Sequence, residues 1–501
     1  MTTVEKIKAK ILDLAIRGKL VPQDPNDEPA SVLLERIKAE KAELVKAKKI
    51  KKDKNPSEII IGSDGVPYEK FADGTSKDLS DEISFGIPDS WQWVRLGKIG
   101  DWKAGATPSR NSEDYYKDGD TPWLKTGDLN DGVIYSVPEC ITAEAVLKTS
   151  VRLNPIGSVL IAMYGATIGK VGILGIAATT NQACCACIPN EGIYNKYLFY
   201  FLMSQRNHFK SMGGGGAQPN ISKDIIISTQ FPLPPLAEQK RIVAKVEELF
   251  AYADQIGSAS EEITKTAQRL DKKILDLAIR GKLVPQDPND EPASELVKRI
   301  EKQRQAKTDG KKSRAAASHK PTYEIEPAFD IPESWEWVRL GSISNYGECQ
   351  TIDANKIPSK TWSLDLEEIE KGSGRLLVRR LAGEKASTSS KHKFCKGMIL
   401  YSKLRTYLNK VLIADMDGVC TSEIIPITLL GDILPEYIRT VLMSPYFLAY
   451  TASKDYGVKM PRIGTGDARA ALIPLPPLAE QKRIVKKIDE LKEMTQALVA
   501  L

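Results

Sequence analysis

Histidine is scarce in this chain, and paired cysteines and long apolar runs are missing. Only three histidines occur in 501 residues, and His208, His319 and His392 are isolated, which argues against a histidine-based catalytic site. The seven cysteines lack the spacing of a disulfide framework and indicate a reducing compartment. No uncharged apolar run approaches the roughly 18 residues of a membrane span, and the amino-terminal pattern is not that of a signal peptide. The sequence therefore predicts a cytoplasmic protein without membrane contact.

Motifs that carry catalysis or hold nucleotides and metals are also missing. The glycine run Gly213–Gly216 lacks the G-x-G-x-x-G spacing, and Gly165–Lys170 is too short for a phosphate loop. Cys184–Cys187 contains one C-x-x-C pair, whereas a structural zinc needs four ligands. Asn154–Ile156 lacks the second proline and the aromatic residue of an adenine methyltransferase loop. We therefore expect a non-catalytic chain that holds no metal or cofactor of its own.

Length and charge leave the class of partner open. A chain of 501 residues is long enough for about two or three folding units. Lys and Arg total 71 against 65 Asp and Glu, a net charge of +6. Such an excess suits nucleic acid but does not demand it, because the clustering of charge matters more than its sum.

The strongest positive signal is an internal repeat. Three segments recur almost unchanged, as Lys10–Ser31 and Lys273–Ser294, Ile87–Gly97 and Ile331–Gly341, and Phe231–Leu249 and Ile473–Leu491. The repeat is circular, because Ala479–Leu501 followed by Met1–Gly18 matches the continuous segment Ala237–Gly281. We therefore expect the two termini to complete a second copy of the central segment and to lie close together.

The central segment has coiled-coil spacing, with apolar residues at alternating steps of four and three over about five heptads. Pro234 and Pro235 precede it, and Gly281 stands where a helix C-cap is expected. The positions predicted for the seam and the subunit interface are Ile242, Val246, Leu249, Ile256, Ile263, Leu270 and Ile274, and in the split copy Ile484, Ile488, Leu491, Leu498, Ile7, Ile11 and Leu14. Two such helices packed along their seams are predicted to run antiparallel with pseudo-two-fold symmetry. They would then hold the two globular modules at a fixed distance, as a ruler does.

The predicted fold class is α+β (mixed α/β), with two globular domains that contain twisted β-sheets and are joined by long antiparallel coiled-coil helices. The predicted divisions are an N-terminal helical segment 1–50, a basic linker 51–79, a globular domain 80–236, a central helical region 237–305, a basic linker 306–323, a second globular domain 324–478 and a C-terminal helix 479–501. The lysine-rich runs Lys46–Lys54 and Lys302–Arg314 are interpreted as solvated linkers. The alternative is that they lie against phosphate.

The sequences of the two globular domains differ from each other, whereas the repeated segments that connect them (the connectors) are nearly identical. Gly157–Leu174 aligns only faintly with Gly397–Ala414, although the alignment places Lys170 opposite Lys410. Near-identical connectors joined to divergent modules indicate that spacing is common to both halves while the targets differ.

The chain resembles the specificity (S) subunit of type I restriction–modification systems. The residues that carry the likeness are PLPPLAEQKRIV, LDLAIRGKLVPQ and IPxSWxWVRLG, each present twice, and the AQPNIS loop within Gly213–Ser222. The resemblance covers essentially the whole chain. It implies two target-recognition domains that each read half of a bipartite site in double-stranded DNA, and helices that set the gap.

The resemblance also implies partners. Two methyltransferase (modification) subunits would dock on the helices and use S-adenosylmethionine for N6-adenine methylation. Restriction/translocase subunits of the full complex would use ATP and Mg.

Candidate DNA contacts are residues with donors, acceptors or positive charge on loops and strand ends. In the first domain they are Thr107, Ser109, Arg110, Lys125, Tyr164, Thr167, Lys170, Gln218, Asn220 and Ser222. In the second domain they are Lys403, Arg405, Thr406, Tyr407, Asn409, Lys410, Lys459, Arg462 and Thr465. A solvated surface or a turn stays the alternative for each residue taken singly.

Two other classes of function stay open at this point. One is a coiled-coil scaffold that binds only proteins and reads no DNA sequence. The other is a stand-alone DNA-modifying enzyme, against which the missing methyltransferase and phosphate loops argue.

Overall fold

The computed structural model describes residues 2–47, 56–214, 219–308, 326–385, 389–454 and 460–500. It divides into two compact units, Met1–Ala259 and Ser260–Leu501. Within the described residues, no helix is both long enough and apolar enough to cross a membrane.

The first unit packs helices against a five-stranded sheet. Its helices are α1 (Thr3–Ile16), α2 (Ala30–Lys46), α3 (Ala143–Lys148), α4 (Asn195–Ser204), α5 (Arg206–Met212), α6 (Lys223–Ser228) and the first part of α7 (Leu236–Ile279). Its strands are β1 (Ser57–Ile61), β2 (Pro67–Phe71), β3 (Ser76–Asp78), β4 (Gln92–Arg95), β5 (Gly100–Ala104), β6 (Thr121–Leu124), β7 (Val133–Ile134), β8 (Cys140–Ile141), β9 (Val159–Ala162), β10 (Val171–Leu174), β11 (Thr179–Thr180), β12 (Cys184–Pro189) and β13 (Gln230–Leu233). The main sheet has the order β5-β12-β9-β10-β7, and smaller sheets have the orders β1-β2-β3, β11-β6-β8 and β13-β4. Strands β9 and β10 are buried along their whole length, as their unbroken apolar sequences require.

The second unit also packs helices against sheets, but its described strands form one four-stranded sheet, one three-stranded sheet and one two-stranded sheet. Its helices are the remainder of α7, α8 (Ala293–Thr308), α9 (Leu340–Ile343), α10 (Pro435–Met443), α11 (Pro445–Lys454), α12 (Thr465–Ala470) and α13 (Leu478–Ala500). Its strands are β14 (Glu336–Arg339), β15 (Thr351–Ile352), β16 (Trp362–Leu364), β17 (Lys391–Phe394), β18 (Ile399–Ser402), β19 (Val411–Ile413), β20 (Gly418–Cys420), β21 (Ile424–Ile427) and β22 (Leu472–Leu475). The sheets have the orders β15-β17-β20-β16, β19-β18-β21 and β14-β22. The predicted mixed class, with two sheet-containing units and a long helix, is confirmed.

The interval 51–79, predicted as a basic linker, is structured over most of its length, and that prediction is wrong. Residues 57–78 contain the antiparallel meander β1-β2-β3. Ile59 is buried in it, and the buried Glu69 carboxylate pairs with Arg95 at 2.6 Å. The sequence signal was the turns at Gly65 and Gly74, both with positive φ, which separate β-branched and aromatic stretches in the manner of hairpins. Of the lysine-rich runs, Lys46–Lys54 is described only at 46 and 47, and Lys302–Arg314 only at 302–308. The part 302–308 is the end of helix α8 and not a linker.

Residues of the repeated segments form the same set of polar contacts in each unit, which we call the clamp. In the first unit, the Glu238 carboxylate at the start of α7 accepts hydrogen bonds from Trp91 Nε1 at 2.9 Å and from Gln23 Nε2 at 2.6 Å. Arg241, one turn later, pairs with Asp27 at 2.5 Å. The clamp therefore joins the helix, the Trp-x-Trp element and the turn after α1.

In the second unit, Glu480 accepts from Trp335 at 2.9 Å and from Gln286 at 2.5 Å. Arg483 pairs with Asp290 at 2.6 Å. The identity of the connector segments thus has a packing reason in both units.

An antiparallel helix pair lies within each unit. In the first, Lys8 of α1 pairs with Asp254 of α7 at 2.7 Å, and Val4 lies against Gly257. In the second, Thr495 of α13 donates to Asp271 of α7 at 2.9 Å. The predicted Gly281 cap is confirmed, because Gly281 follows α7 with φ of +66°.

Three positions of the predicted seam in the middle of α7 are exposed. Ile242, Val246 and Ile274 are buried as predicted, but Ile256, Ile263 and Leu270 are 57%, 44% and 44% exposed. The partner helices contact α7 at Gly257 and Asp271, the residues next to Ile256 and Leu270. Adjacent residues of a helix point about 100° apart, so packing over one turns the other to solvent.

The split copy follows its predicted seam more closely. Ile484, Ile488 and Ile11 are buried, and Leu491, Ile7 and Leu14 are half-buried, as is Leu249 of α7. Leu498 is 50% exposed. The exposed positions do not belong to a seam within this chain, and their prediction as a subunit interface stays a prediction.

Candidate nucleic-acid interface

In the first unit, the candidate loops begin at the same end of the main sheet. β12 pairs antiparallel with both β5 and β9, and Cys185 lies opposite Ala104 while Cys184 lies opposite Ala162. The carboxyl ends of β5 and β9 therefore lie beside the amino end of β12. The loop with Thr107, Ser109 and Arg110 and the loop 163–170 start from these ends, and Thr107 contacts Gln182 just before β12.

The loop 163–170 is joined to the segment after the glycine run. Gly165 N donates to Pro219 O at 2.8 Å, and Ile221 N donates to Met163 O at 2.9 Å. Tyr164 and Asn220 form an isolated antiparallel bridge. These bonds bring together Tyr164, Thr167 and Asn220, which were separate candidates in the sequence.

A second group in the first unit forms a charged cluster on aromatic rings. Glu139 pairs with Arg110 at 2.9 Å and with Lys125. The Arg110 guanidinium lies 4.4 Å from the Tyr116 ring centroid and 4.9 Å from that of Trp123. The hydrogen bond from Arg110 lowers the pKa of Glu139 and keeps it ionised. The two cations are thereby held at the surface in fixed positions.

The second unit has the same backbone hydrogen bonds around this loop (the loop frame) but carries different side chains on it. Arg405 N donates to Pro461 O at 2.8 Å, and Ile463 N donates to Lys403 O at 3.1 Å. Leu404 and Arg462 form the bridge that Tyr164 and Asn220 form in the first unit. The backbone pattern is therefore shared between loops whose sequences differ at almost every exposed position.

The alignment of Lys170 with Lys410 agrees with the backbone. Ala162 N donates to Lys170 O at 2.9 Å, and Ser402 N donates to Lys410 O at 3.1 Å. The side chains differ, because Lys410 Nζ donates to Leu366 O at 2.6 Å. Burial lowers the pKa of Lys410.

Several candidates are used inside their own unit. Ser222 accepts from Ile225 N as the N-cap of α6, and Asn409 Nδ2 donates to Met443 O at 2.9 Å. Thr406 is buried. Arg462 makes a two-pronged pair with Glu423, both distances 3.1 Å. The exposed side chains of the set are Thr107, Ser109, Arg110, Tyr164, Asn220, Ser222, Arg405, Tyr407 and Thr465. Gln218 and Lys459 lie outside the described residues.

A charged group in the second unit was not predicted. Asp365 directly follows β16, as Lys125 directly follows β6, and Asp365 pairs with Lys385 at 2.9 Å and with Lys391 at 3.0 Å. Lys385 also contacts the buried Glu368 at 2.5 Å. These groups line a cleft of about 840 Å³ that extends to Glu423. The missed signal is the correspondence of WLKTGDL with SLDLEEI, which divergence hid.

The fold and these loops define a protein of two related sheet modules connected through α7, with different polar side chains on loops that have the same backbone hydrogen bonds. The family model described as "Type I restriction modification DNA specificity domain" matches residues 88–265 and 332–500. The chain belongs to this family. It is 30% identical to the specificity subunit of the type I restriction enzyme EcoAI of Escherichia coli, over 97% of this chain and 89% of that relative. It is also 30% identical to the EcoEI specificity subunit of Escherichia coli, over 68% of this chain and 62% of that relative.

Solved structures support the fold. A chain from a type I R-M system aligns with a TM-score of 0.54 and 18% identity, over 83% of this chain and 93% of that one. The HsdS subunit from Thermoanaerobacter tengcongensis aligns with a TM-score of 0.51 and 19% identity, over the same shares of 83% and 93%. At such identities the likeness concerns architecture alone.

Proposed function

We propose that this chain is the DNA-specificity subunit of a type I restriction–modification complex, with each unit recognising one half of a bipartite double-stranded site. The observation that carries the proposal is the shared loop frame. Loops 163–170 and 403–410 have matching backbone hydrogen bonds to Pro219 and Pro461, but they present different side chains. Base recognition depends on the donors and acceptors presented in a groove, so one frame with two side-chain sets suits two half-sites.

The clusters around these loops suit DNA electrostatically. Arg110 and Lys125 in one unit, and Lys403 and Arg405 in the other, supply positive charge at the loop edges. Lysine and arginine at such positions bind phosphates, and both side chains also bind the O6 and N7 acceptors of guanine in the major groove. Family membership disfavours the protein-only scaffold and the stand-alone enzyme.

Chemistry on DNA is assigned to partner subunits. Two methyltransferase subunits would dock on the shared helices and supply S-adenosylmethionine-dependent adenine methylation, and restriction/translocase subunits would supply ATP- and Mg-dependent cleavage. The exposed apolar side chains of Ile256, Ile263 and Leu270 on α7 support docking, because such side chains gain from burial against a partner.

The test is genome-wide mapping of methylated adenines in a host that carries this chain with its neighbouring methyltransferase gene. The matched control lacks only this chain. A two-part motif with a fixed unread gap, lost in the control, is expected. A continuous motif, or one that persists without the chain, would overturn the proposal.

A further inference from the structure

Arg405 adopts a backbone conformation that L-residues avoid. Its φ and ψ are 51° and 58°, in the left-handed region, at the start of the one-turn 3-10 helix Thr406–Leu408. A side chain in this region meets the following carbonyl oxygen, so glycine is the residue that adopts it without strain. The backbone therefore does not account for an arginine at this position.

The first unit shows what the backbone alone requires. Gly165 holds the equivalent place, with φ of +63°, and its N–H donates to Pro219 O just as that of Arg405 donates to Pro461 O, both at 2.8 Å. A Cβ atom added to Gly165 would meet no atom within 4 Å. Glycine therefore meets all backbone requirements of this loop in the first unit.

The guanidinium of Arg405 also has no partner among the described residues of the second unit. Across 326–385, 389–454 and 460–500, no hydrogen bond, ion pair or ring contact of its side chain is present, and the residue is exposed. Neighbouring Arg462, by contrast, is held by Glu423 at 3.1 Å. Tyr407, 61% exposed, projects from the same turn. Arg405 is therefore a strained residue whose free side chain extends from the loop tip, which is typical of functional positions.

We propose that Arg405 is the specificity-determining residue of the second unit and reads a guanine in its half-site. This inference rests on the function proposed above. The planar fork of a guanidinium matches the O6 and N7 acceptors of guanine in the major groove, and such a pair discriminates against other bases by about 5- to 150-fold. A phosphate contact would instead be insensitive to sequence.

Arg405→Gly tests the proposal without risk to the fold, because glycine relieves the strain and the first unit already uses it. We expect the variant, in complex with the methyltransferase, to retain the gap and the half-site of the first unit. One G·C pair of the other half-site should become degenerate, with its preference reduced by about 5- to 150-fold in competition between duplexes that differ at that pair. Arg405→Lys, which can also donate to O6 and N7, should keep a weakened preference for guanine.

Arg299→Ala is the charge-matched control. Arg299 is exposed on α8, where it pairs with Glu291 at 2.7 Å, and its loss should leave the motif unchanged. Thermal unfolding of Arg405→Gly at or above the wild-type temperature verifies the fold.

Two results would overturn the inference. One is an unchanged motif in Arg405→Gly. The other is a uniform loss of affinity for all duplexes with a shallower salt dependence, which identifies a phosphate contact. Both leave the wild-type motif bipartite, whereas failure of the proposed function would show in the wild-type motif itself.

Discussion

The buried indole of Trp91 donates a hydrogen bond from Nε1 to the carboxyl group of Glu238 over 2.9 Å. The bond ties the start of the long helix to the strand that opens the sheet module. Burial raises the pKa of Glu238, and the same holds for Glu480 beneath Trp335. A buried carboxyl group with a raised pKa makes stability depend on pH.

Glu238→Gln should change that dependence in a defined direction. The folded-state pKa of Glu238 lies above the unfolded value, so its contribution to stability is complete below the unfolded pKa and is lost as pH rises through the folded pKa. The difference in free energy of unfolding between wild type and Glu238→Gln should therefore move in favour of the variant as pH rises from about 4 towards 7. Denaturant titrations at several pH values measure it.

Glu480→Gln repeats that experiment in the second unit, and the difference in free energy of unfolding should change with pH in the same direction. Glu262→Gln, at an exposed position of α7, is the control for removing a carboxyl group outside the two buried sites. A difference for Glu238→Gln that does not change with pH would mean that folding does not raise the pKa of this carboxyl group.

The connectors were predictable from sequence because their constraints are local or repeated. Identical letters at Lys10–Ser31 and Lys273–Ser294, and the spacing of Ile242 and Val246, predicted helices that the structure contains. The exposure of Ile256, Ile263 and Leu270 was not predictable. It depends on where α1 and α13 lie against α7, and a heptad pattern read from one helix does not contain that information.

The candidate interface was predictable only in part. The sequence predicted the loops around Tyr164 and Arg405 from polar and basic residues among turns, and the backbone bonds unite each loop with Asn220 or Arg462. It did not predict Glu139, whose two cations come from segments about 15 to 30 residues away in the chain. Long-range pairs of this kind leave no periodic or local pattern.

Glu139→Gln should alter the half-site of the first unit alone. The carboxylate holds both Arg110 and Lys125, and its neutral isostere removes the charge that fixes them. We expect altered preference at one or two positions of that half-site, by about tenfold, since charge-assisted bonds contribute about 1.5–3 kcal/mol. Methylated-motif mapping measures the change, and altered preferences in both half-sites would contradict it.

Ile263→Ser should weaken assembly without weakening the fold. Ile263 is 44% exposed, so its replacement should change the free energy of unfolding by no more than about 0.5 kcal/mol. If the exposed face of α7 docks a methyltransferase subunit, co-purification of that subunit should fall.

Ile274→Ser is the contrasting variant, because Ile274 is buried and its replacement should cost about 3 kcal/mol of stability. Undiminished assembly of a stable Ile263→Ser chain would place the docking surface elsewhere.

Shortening α7 tests whether the helix sets the gap between half-sites. Removing seven residues within 255–266 shortens a helix by about 10 Å at 1.5 Å per residue, which corresponds to about three base pairs at 3.4 Å each. Seven residues are nearly two turns, so the helical phase changes by only about 20°. The segment contains no residue of either buried core, so the deletion should spare both sheet modules. It contains the exposed Ile256 and Ile263, so the fraction of sites methylated should fall while the motif itself stays readable.

We expect the mapped motif of the deletion variant to keep both half-sites and to lose about three base pairs of gap. Replacing the same seven residues by seven alanines keeps the length and should keep the gap, which separates the effect of length from that of sequence. An unchanged gap in the deletion variant would mean that the spacing is not set by α7. An altered half-site would mean that the helix contributes to base recognition, because the modules themselves carry no change.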